Sequence, residues 1–272
     1  MRILVRRFLH AYVEGGPGVV WASISRRLRR VEVGRDNAGG AGGSESGGLR
    51  AGRSEKHPFD VEHGTETSGL ISGENLNTGS RSDLWNTAYH GISPSGFKQT
   101  MEALGAELGS EWGRFAFVDL GCGKGRALLL ASRLPFRKIL GVEISAELSA
   151  AAAENVRVFA APWQMCREIE TICGDAATFD FPSGPMVLYL YNPFLPPVLK
   201  RCLKNLVRNL EAEPREVYVV YVHPVFKREM KGVHGLTKLW ERTFALSEED
   251  GRADLVGTKW ESVAVWRYLP RR

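Results

Sequence analysis

The chain has 272 residues, 43% of them hydrophobic, and a formal charge of +5. That length can bury one sizeable core, and one large domain with an extension is the simplest division. The charge excess is local. Residues 1–56 hold eleven Lys and Arg against five Asp and Glu and the remainder is close to neutral, so basicity does not mark the main domain as a nucleic-acid or membrane binder.

The four cysteines, Cys122, Cys166, Cys173 and Cys202, have neither C-x-x-C spacing nor an accompanying histidine pattern, so reduced thiols and no metal site are expected. Charges or prolines interrupt every apolar run before the roughly 18 residues of a membrane span. A soluble, cytoplasmic protein is the expectation.

In chain order, residues 1–33 are Arg-rich, with an apolar patch at 18–22 too short for a secretory signal. They read as a poorly ordered extension, or as an amphipathic helix that a transit system or membrane surface could bind. Residues 34–56 are Gly-rich and nearly devoid of apolar side chains, as a flexible linker would be. The domain is then expected over 57–272, with a cap and helix at 57–110 and the core at 111–272. Residues 57–95 read as ordered loop. Within them, the stretch from Phe59 to Thr67 reads as surface loop more readily than as lid. Phe97, Met101, Leu104 and Leu108 have helical spacing.

A strand and helix rhythm follows. Strands are expected at 115–120, 138–142, 169–173, 186–191 and 216–222, with helices from 126 to about 134, over 146–159 and over 197–210. Short apolar strands alternating with helices indicate a mainly parallel sheet covered on both faces. Residues 239–246 and 260–268 are strand-like, separated by a polar connection, and predict an antiparallel hairpin. Its tryptophans, Trp240, Trp260 and Trp266, read as core packing.

The segment FVDLGCGKGR at 117–126 falls where the first core strand turns into its helix. Glycines there let a ligand approach the backbone at the carboxyl end of a strand. A phosphate-binding Walker loop is excluded: Val118 stands where its first glycine would be, and Gly125 follows Lys124 in place of Ser or Thr. The dinucleotide spacing G-x-G-x-x-G is also missed, since the third glycine comes one residue early. Asp119, two residues before Gly121, would repel a pyrophosphate and attract a cation.

Val118 to Arg126 resembles motif I of the class I S-adenosylmethionine-dependent methyltransferases. Glu143 ends the next strand where the family has an acid that accepts both ribose hydroxyls, and Cys173-Gly174-Asp175-Ala176 resembles the segment whose Asp accepts from the adenine amino group. The resemblance spans 117–176. It implies a Rossmann-like α/β fold with a seven-stranded, mainly parallel sheet, helices on both faces and an antiparallel C-terminal hairpin. It implies S-adenosylmethionine as cofactor, held by Asp119, Gly121, Cys122, Gly123, Glu143, Ile144, Asp175 and Ala176.

Asn192-Pro193-Phe194 resembles the motif IV segment of amino-methylating families. Its Asn oxygen and Pro carbonyl would receive hydrogens from an amine while Phe194 walls the pocket, making these three the expected catalytic residues. Tyr89, in a loop before the helix that precedes motif I, loosely resembles the cofactor-covering loop of seven-stranded histone-lysine methyltransferases. A protein amine is therefore the favoured acceptor, with RNA or a small molecule open. His223, after the fifth strand, is a side candidate for a general base. The competing readings are an NAD-dependent oxidoreductase, opposed by the glycine spacing, and a catalytically silent cofactor binder.

Overall fold

The computed structural model describes residues 56–71, 87, 89–109, 111–253 and 259–270, all within the compact unit Glu55–Arg272. The extension and linker expected before residue 56 lie outside the described residues. Among the described residues, no helix is long and apolar enough to cross a membrane.

The core is a seven-stranded sheet. Its strands are β3 (Ala116–Leu120), β4 (Lys138–Glu143), β5 (Ile169–Cys173), β6 (Met186–Tyr191), β7 (Val217–Val222), β8 (Leu236–Ala245) and β9 (Trp260–Tyr268). They lie in the order β5-β4-β3-β6-β7-β9-β8. The first five run parallel, and β9 pairs antiparallel with both β7 and β8. The expected hairpin is present, with its second strand inserted between β7 and the first.

The central strands β3, β6 and β7 are buried on both faces, which explains why they read as unbroken apolar runs. On one face β3, β6 and β7 pack against α5 (Pro196–Ala212), which buries Val198, Leu199, Cys202, Leu203, Leu206 and Leu210 along a single stripe. At about 1.5–3 kcal/mol per buried large apolar side chain, that stripe fixes the helix on the sheet. On the other face Phe97, Met101, Leu104 and Leu108 of α2 (Pro94–Leu108) meet Phe117 and Tyr189. Between them in sequence, α3 (Arg126–Ala131) and α4 (Ala146–Val158) follow β3 and β4.

The structure corrects three expectations. First, residues 57–95 contain regular structure: a helix α1 (Pro58–His63) and a two-residue antiparallel ladder of β1 (Leu70–Ile71) with β2 (Tyr89–His90). Pro58 fits the first turn of α1 and Gly64, at φ 67°, ends it. Second, the polar connection before β9 includes a helix, α6 (Glu248–Ala253), whose Asp250 is buried and accepts from Ser95 N at 2.6 Å. Third, the tryptophans do not form one core set. Trp266 is buried and Trp240 half-buried, but Trp260 is 56% exposed at the open start of β9.

The segment from His57 to Ser68 is no surface loop. Asp60 is fully buried and accepts from Thr65 Oγ1 at 2.6 Å, Thr67 Oγ1 at 2.6 Å, Thr67 N at 3.0 Å and Ser68 Oγ at 2.5 Å. Arg126, the first residue of α3, is also buried and places Nη2 3.3 Å from Asp60 Oδ2. Its Nε donates to Thr67 Oγ1 at 2.6 Å and its Nη1 to Ile92 O at 3.0 Å. Burial pushes the Asp60 carboxyl up, but the Ser68, Thr65 and Thr67 hydrogen bonds and the Arg126 charge outweigh it and bring its pKa down to about 2. This network ties the strap 57–68 to the turn between β3 and α3.

Breaking a buried pair leaves an uncompensated charge, which costs more than the pair contributes. Asp60→Ala should therefore destabilise the protein by about 3–5 kcal/mol in urea denaturation, whereas Lys56→Ala, at the exposed Lys56–Glu66 pair, should leave the urea midpoint nearly unchanged. Equal, small effects of both would show that the strap does not depend on the Asp60–Arg126 contact.

Candidate active site

Strand order reverses between β3 and β6: the chain moves outward from β3 to β4 and β5, then returns to the other side of β3. The carboxyl ends of strands at such a switch point leave a crevice that neither neighbouring connection fills. A cavity lies there, lined at one end by Asp175, Ala176 and Val198, in its middle by Glu143, Ile144 and Gly121 to Gly123, and at the other end by Tyr89, His90 and Tyr191. The structure thus brings all the predicted cofactor residues to one cavity, together with Pro193 and Phe194.

The glycine turn follows β3. Gly121 N and Cys122 N both donate to Val142 O, at 2.8 and 3.0 Å, which folds the turn against the end of β4. Gly123 has φ 54°, and a Cβ there would fall 2.2 Å from the Tyr89 ring. The glycine is needed both for its backbone angle and for the aromatic side chain packed on it. Tyr89 is held by its hydroxyl, which donates to Thr67 O at 2.5 Å, so the strap and the turn fix it together.

Two buried carboxylates flank the turn. Glu143 Oε2 accepts from Gly123 N at 2.9 Å and its Oε1 from Ser145 N at 2.9 Å. Burial nonetheless keeps its pKa above the ordinary value, against the Ser145, Gly123 and Ile144 backbone bonds. Asp119 is 3% exposed and its Oδ1 has no hydrogen-bond partner among the described residues. Burial, with the Glu143 charge behind it, pushes Asp119 up to about 8. Asp175 stands at the far end, where Oδ1 accepts from Ala177 N at 2.9 Å and Oδ2 from Arg201 Nη2 at 2.8 Å.

Between Tyr191 and Pro193, Asn192 does not itself line the cavity and is buried with φ 44°. Its Oδ1 accepts from Tyr221 Oη at 2.9 Å, its main-chain oxygen from Thr87 Oγ1 at 2.8 Å, and the Pro193 carbonyl from Thr87 N at 3.2 Å. The two oxygens expected to receive an amine's hydrogens therefore each already accept a hydrogen bond within the protein. His223 also has a positive φ, 46°. Its Nε2 lies 3.4 Å from Tyr191 Oη, which donates in turn to Glu261 Oε1 at 3.1 Å.

Sequence reasoning missed Arg126, Tyr191, His90 and Glu261. Arg126 directly follows the motif glycines, but its buried partner is 66 residues away. Glu261 looks like an outward polar position at the start of a strand, and only the tertiary structure shows it 1% exposed.

Residues 117–213 match the methyltransferase domain family. That segment of the chain is a methyltransferase domain. No curated protein matches the chain. Among solved structures it is similar to the N-methyltransferase NodS of Bradyrhizobium japonicum, at 11% identity over 63% of this chain and 86% of that one, with a TM-score of 0.43. It is also similar to magnesium protoporphyrin IX methyltransferase of Synechocystis, at 14% identity over 64% and 80% of the two chains, with a TM-score of 0.41. The [4+2]-cyclase SpnF is a further similar structure, at 14% identity over 64% and 82%, with a TM-score of 0.45.

The cofactor of the methyltransferase is S-adenosylmethionine. The cavity's chemistry fits it. The cofactor carries a sulfonium, an ammonium and a ribose diol, and the methyltransferase offers two buried carboxylates, one with an orphaned oxygen, beside a glycine turn that Tyr89 and Pro193 pack against.

The raised Asp119 pKa sets a pH dependence for the ligand-free protein. A carboxyl whose folded pKa exceeds its unfolded value contributes stability below the unfolded value, near 4, and loses it as pH rises through the folded one, near 8. Thermal denaturation between pH 5 and 8 should therefore show stability falling with pH, and Asp119→Asn should flatten that slope. An unchanged slope in the variant would assign the titration elsewhere.

Proposed function

We propose that the methyltransferase transfers its methyl group to an amine-type acceptor, with a protein lysine side chain as the favoured example. The observation that carries the cofactor half of this reading is the pair of buried carboxylates, Asp119 and Glu143, on either side of the Gly121 to Gly123 turn. Asp119 faces the cationic methionine end and Glu143 receives the ribose hydroxyls. Ile144 and Ala176 sandwich the adenine, while Asp175 receives from its amino group. Gly121, Cys122 and Gly123 let the ligand lie against the main chain, and Tyr89 covers it.

S-adenosylmethionine supplies a methyl group on a positively charged sulfur that is already a good leaving group. What is left to the protein is to orient the nucleophile and exclude water. Asn192 and Pro193 present acceptor oxygens to hydrogens on the incoming nitrogen, and their geometry is held by Tyr221 and Thr87. Phe194, 6% exposed, closes the wall beside them. An acceptor end rich in lone pairs suits a donor such as an amine better than a carboxylate or phosphate.

Two measurements test this. Calorimetry should show S-adenosylmethionine and S-adenosylhomocysteine binding, weakened by about tenfold or more in Glu143→Ala. Because Asp119 is largely protonated at pH 7 without ligand, binding should release a proton, seen as a dependence of the enthalpy on buffer, and Asp119→Asn should abolish it. Transfer of radiolabelled methyl groups to a panel of lysine peptides, small amines, RNA and phenols should label the amines. Label confined to RNA or phenols would overturn the acceptor assignment while leaving the cofactor site intact.

A further inference from the structure

The near end of the cavity contains a polar group set that the cofactor reading does not use. Tyr191, the last residue of β6, lines the cavity and sends its hydroxyl away from the cofactor carboxylates. It donates to Glu261 Oε1 at 3.1 Å and lies 3.4 Å from His223 Nε2. The His90 and His223 rings meet the Tyr191 ring edge-on, with centroids 5.0 and 5.3 Å away. Tyr191 Oη is thereby fixed in position, with its proton directed toward a carboxylate.

The fold makes room for that carboxylate. Glu261 comes from the start of β9, and Gly96 in the first turn of α2 leaves the space it occupies: a Cβ on Gly96 would fall 2.1 Å from Glu261 Oε2. The groups around it are the Ser93 N–H and hydroxyl at the start of α2, Asp250 of α6, Tyr191 of β6, Tyr189 on the same sheet, and beyond Tyr191 the two histidines from β2 and the end of β7. Burial holds the Glu261 carboxyl at about 7, against the bonds from Tyr191 and Ser93. Arg126, the cation at this end of the cavity, is already paired with Asp60.

Resting on the methyltransferase reading above, we infer that Tyr191 contacts the acceptor nitrogen and relays its proton to Glu261, so that the acceptor enters as a protonated amine. An ammonium has no lone pair with which to attack. In the relay its N–H bond is replaced by an O–H bond on Tyr191, whose own proton moves to Glu261 Oε1. The lone pair released on nitrogen forms the bond to carbon, and the cofactor's sulfur keeps the electron pair of the bond that breaks. His223 holds the tyrosine oxygen in line. Tyr191 is thus the catalytic residue, and Glu261 and His223 act through it.

Sinefungin tests this without knowledge of the acceptor, because it places an ammonium where the cofactor carries its reactive methyl group. By calorimetry at pH 8, the full chain should bind sinefungin about tenfold or more tightly than S-adenosylhomocysteine, as a hydrogen bond to a charged group would give. The preference should weaken as pH falls through about 7 and Glu261 becomes protonated. Tyr191→Phe and Glu261→Gln should bring the ratio of the two dissociation constants close to one while moving S-adenosylhomocysteine affinity by less than about threefold. A purely structural role would lower the melting temperature and leave that ratio alone. An unchanged ratio in Tyr191→Phe, which removes one oxygen and keeps the ring, would overturn the relay even if Glu261→Gln folds poorly. Failure of wild-type protein to bind either ligand would instead overturn the cofactor site itself.

Discussion

Arg126 stands one residue beyond the glycine turn with its guanidinium buried, and a buried cation needs a full set of acceptors around it. The fold supplies most of them from the strap 57–68, whose Asp60 lies 66 residues earlier in the chain. Asp60 provides the countercharge, Thr67 and Ser68 provide hydroxyls, and Ile92 a carbonyl. Because Thr67 and Ser68 each donate to Asp60 while accepting from Arg126, removing any member leaves another unsatisfied. The same strap receives Lys124 through Ser68 O at 2.7 Å and Tyr89 through Thr67 O. Three side chains that surround the cofactor turn thus depend on the same buried ion pair for their positions.

That compensation at Arg126 is what allows the opposite treatment of Asp119 and Glu143. A free guanidinium in the cavity would have neutralised them. With Arg126 already matched by Asp60, the two cofactor-side carboxylates stay buried without a cation, and both are pushed above their ordinary ranges. A site held in this state favours a cationic ligand, since the ligand's charge removes the cost of ionising groups that burial disfavours. The sulfonium and ammonium of S-adenosylmethionine meet that requirement, and a nicotinamide dinucleotide's pyrophosphate does not.

The sheet and the cofactor turn were readable in the sequence because both are encoded locally. β3, β4, β6 and β7 are short apolar runs, and the turn's glycines, Asp119 and Glu143 are separated by one strand-helix-strand unit. The strap was not readable. Its segment is polar because Asp60 and its threonines are buried for each other, and a closed polar network has the composition of a surface loop. Trp260 failed in the converse way: an alternating pattern assigns it a face, but at the first residue of β9 that face has no neighbour above it. Tyr191 and Glu261 meet across 70 residues, and nothing within either segment signals the other.

The direction of β9 decides what stands beside Tyr191 at this end of the cavity. Antiparallel to β7, it pairs Val222 with Val263, so the start of β9 lies at the carboxyl end of β7 where the cavity opens. His223 N donates to Ser262 O at 2.7 Å, and the left-handed angle of His223 turns the chain away as soon as that bond is made. Asn192 makes the same left-handed turn after β6, with its side chain anchored on Tyr221 of the neighbouring strand. Residues held at such angles cost about 1–3 kcal/mol each and persist where the surroundings fix them. Here the adjacent strands β6 and β7 each end in one, directly after Tyr191 and Val222. A parallel strand in place of β9 would bring the end of a strand to the cavity, and Glu261 would then lie at the opposite end of the strands from Tyr191.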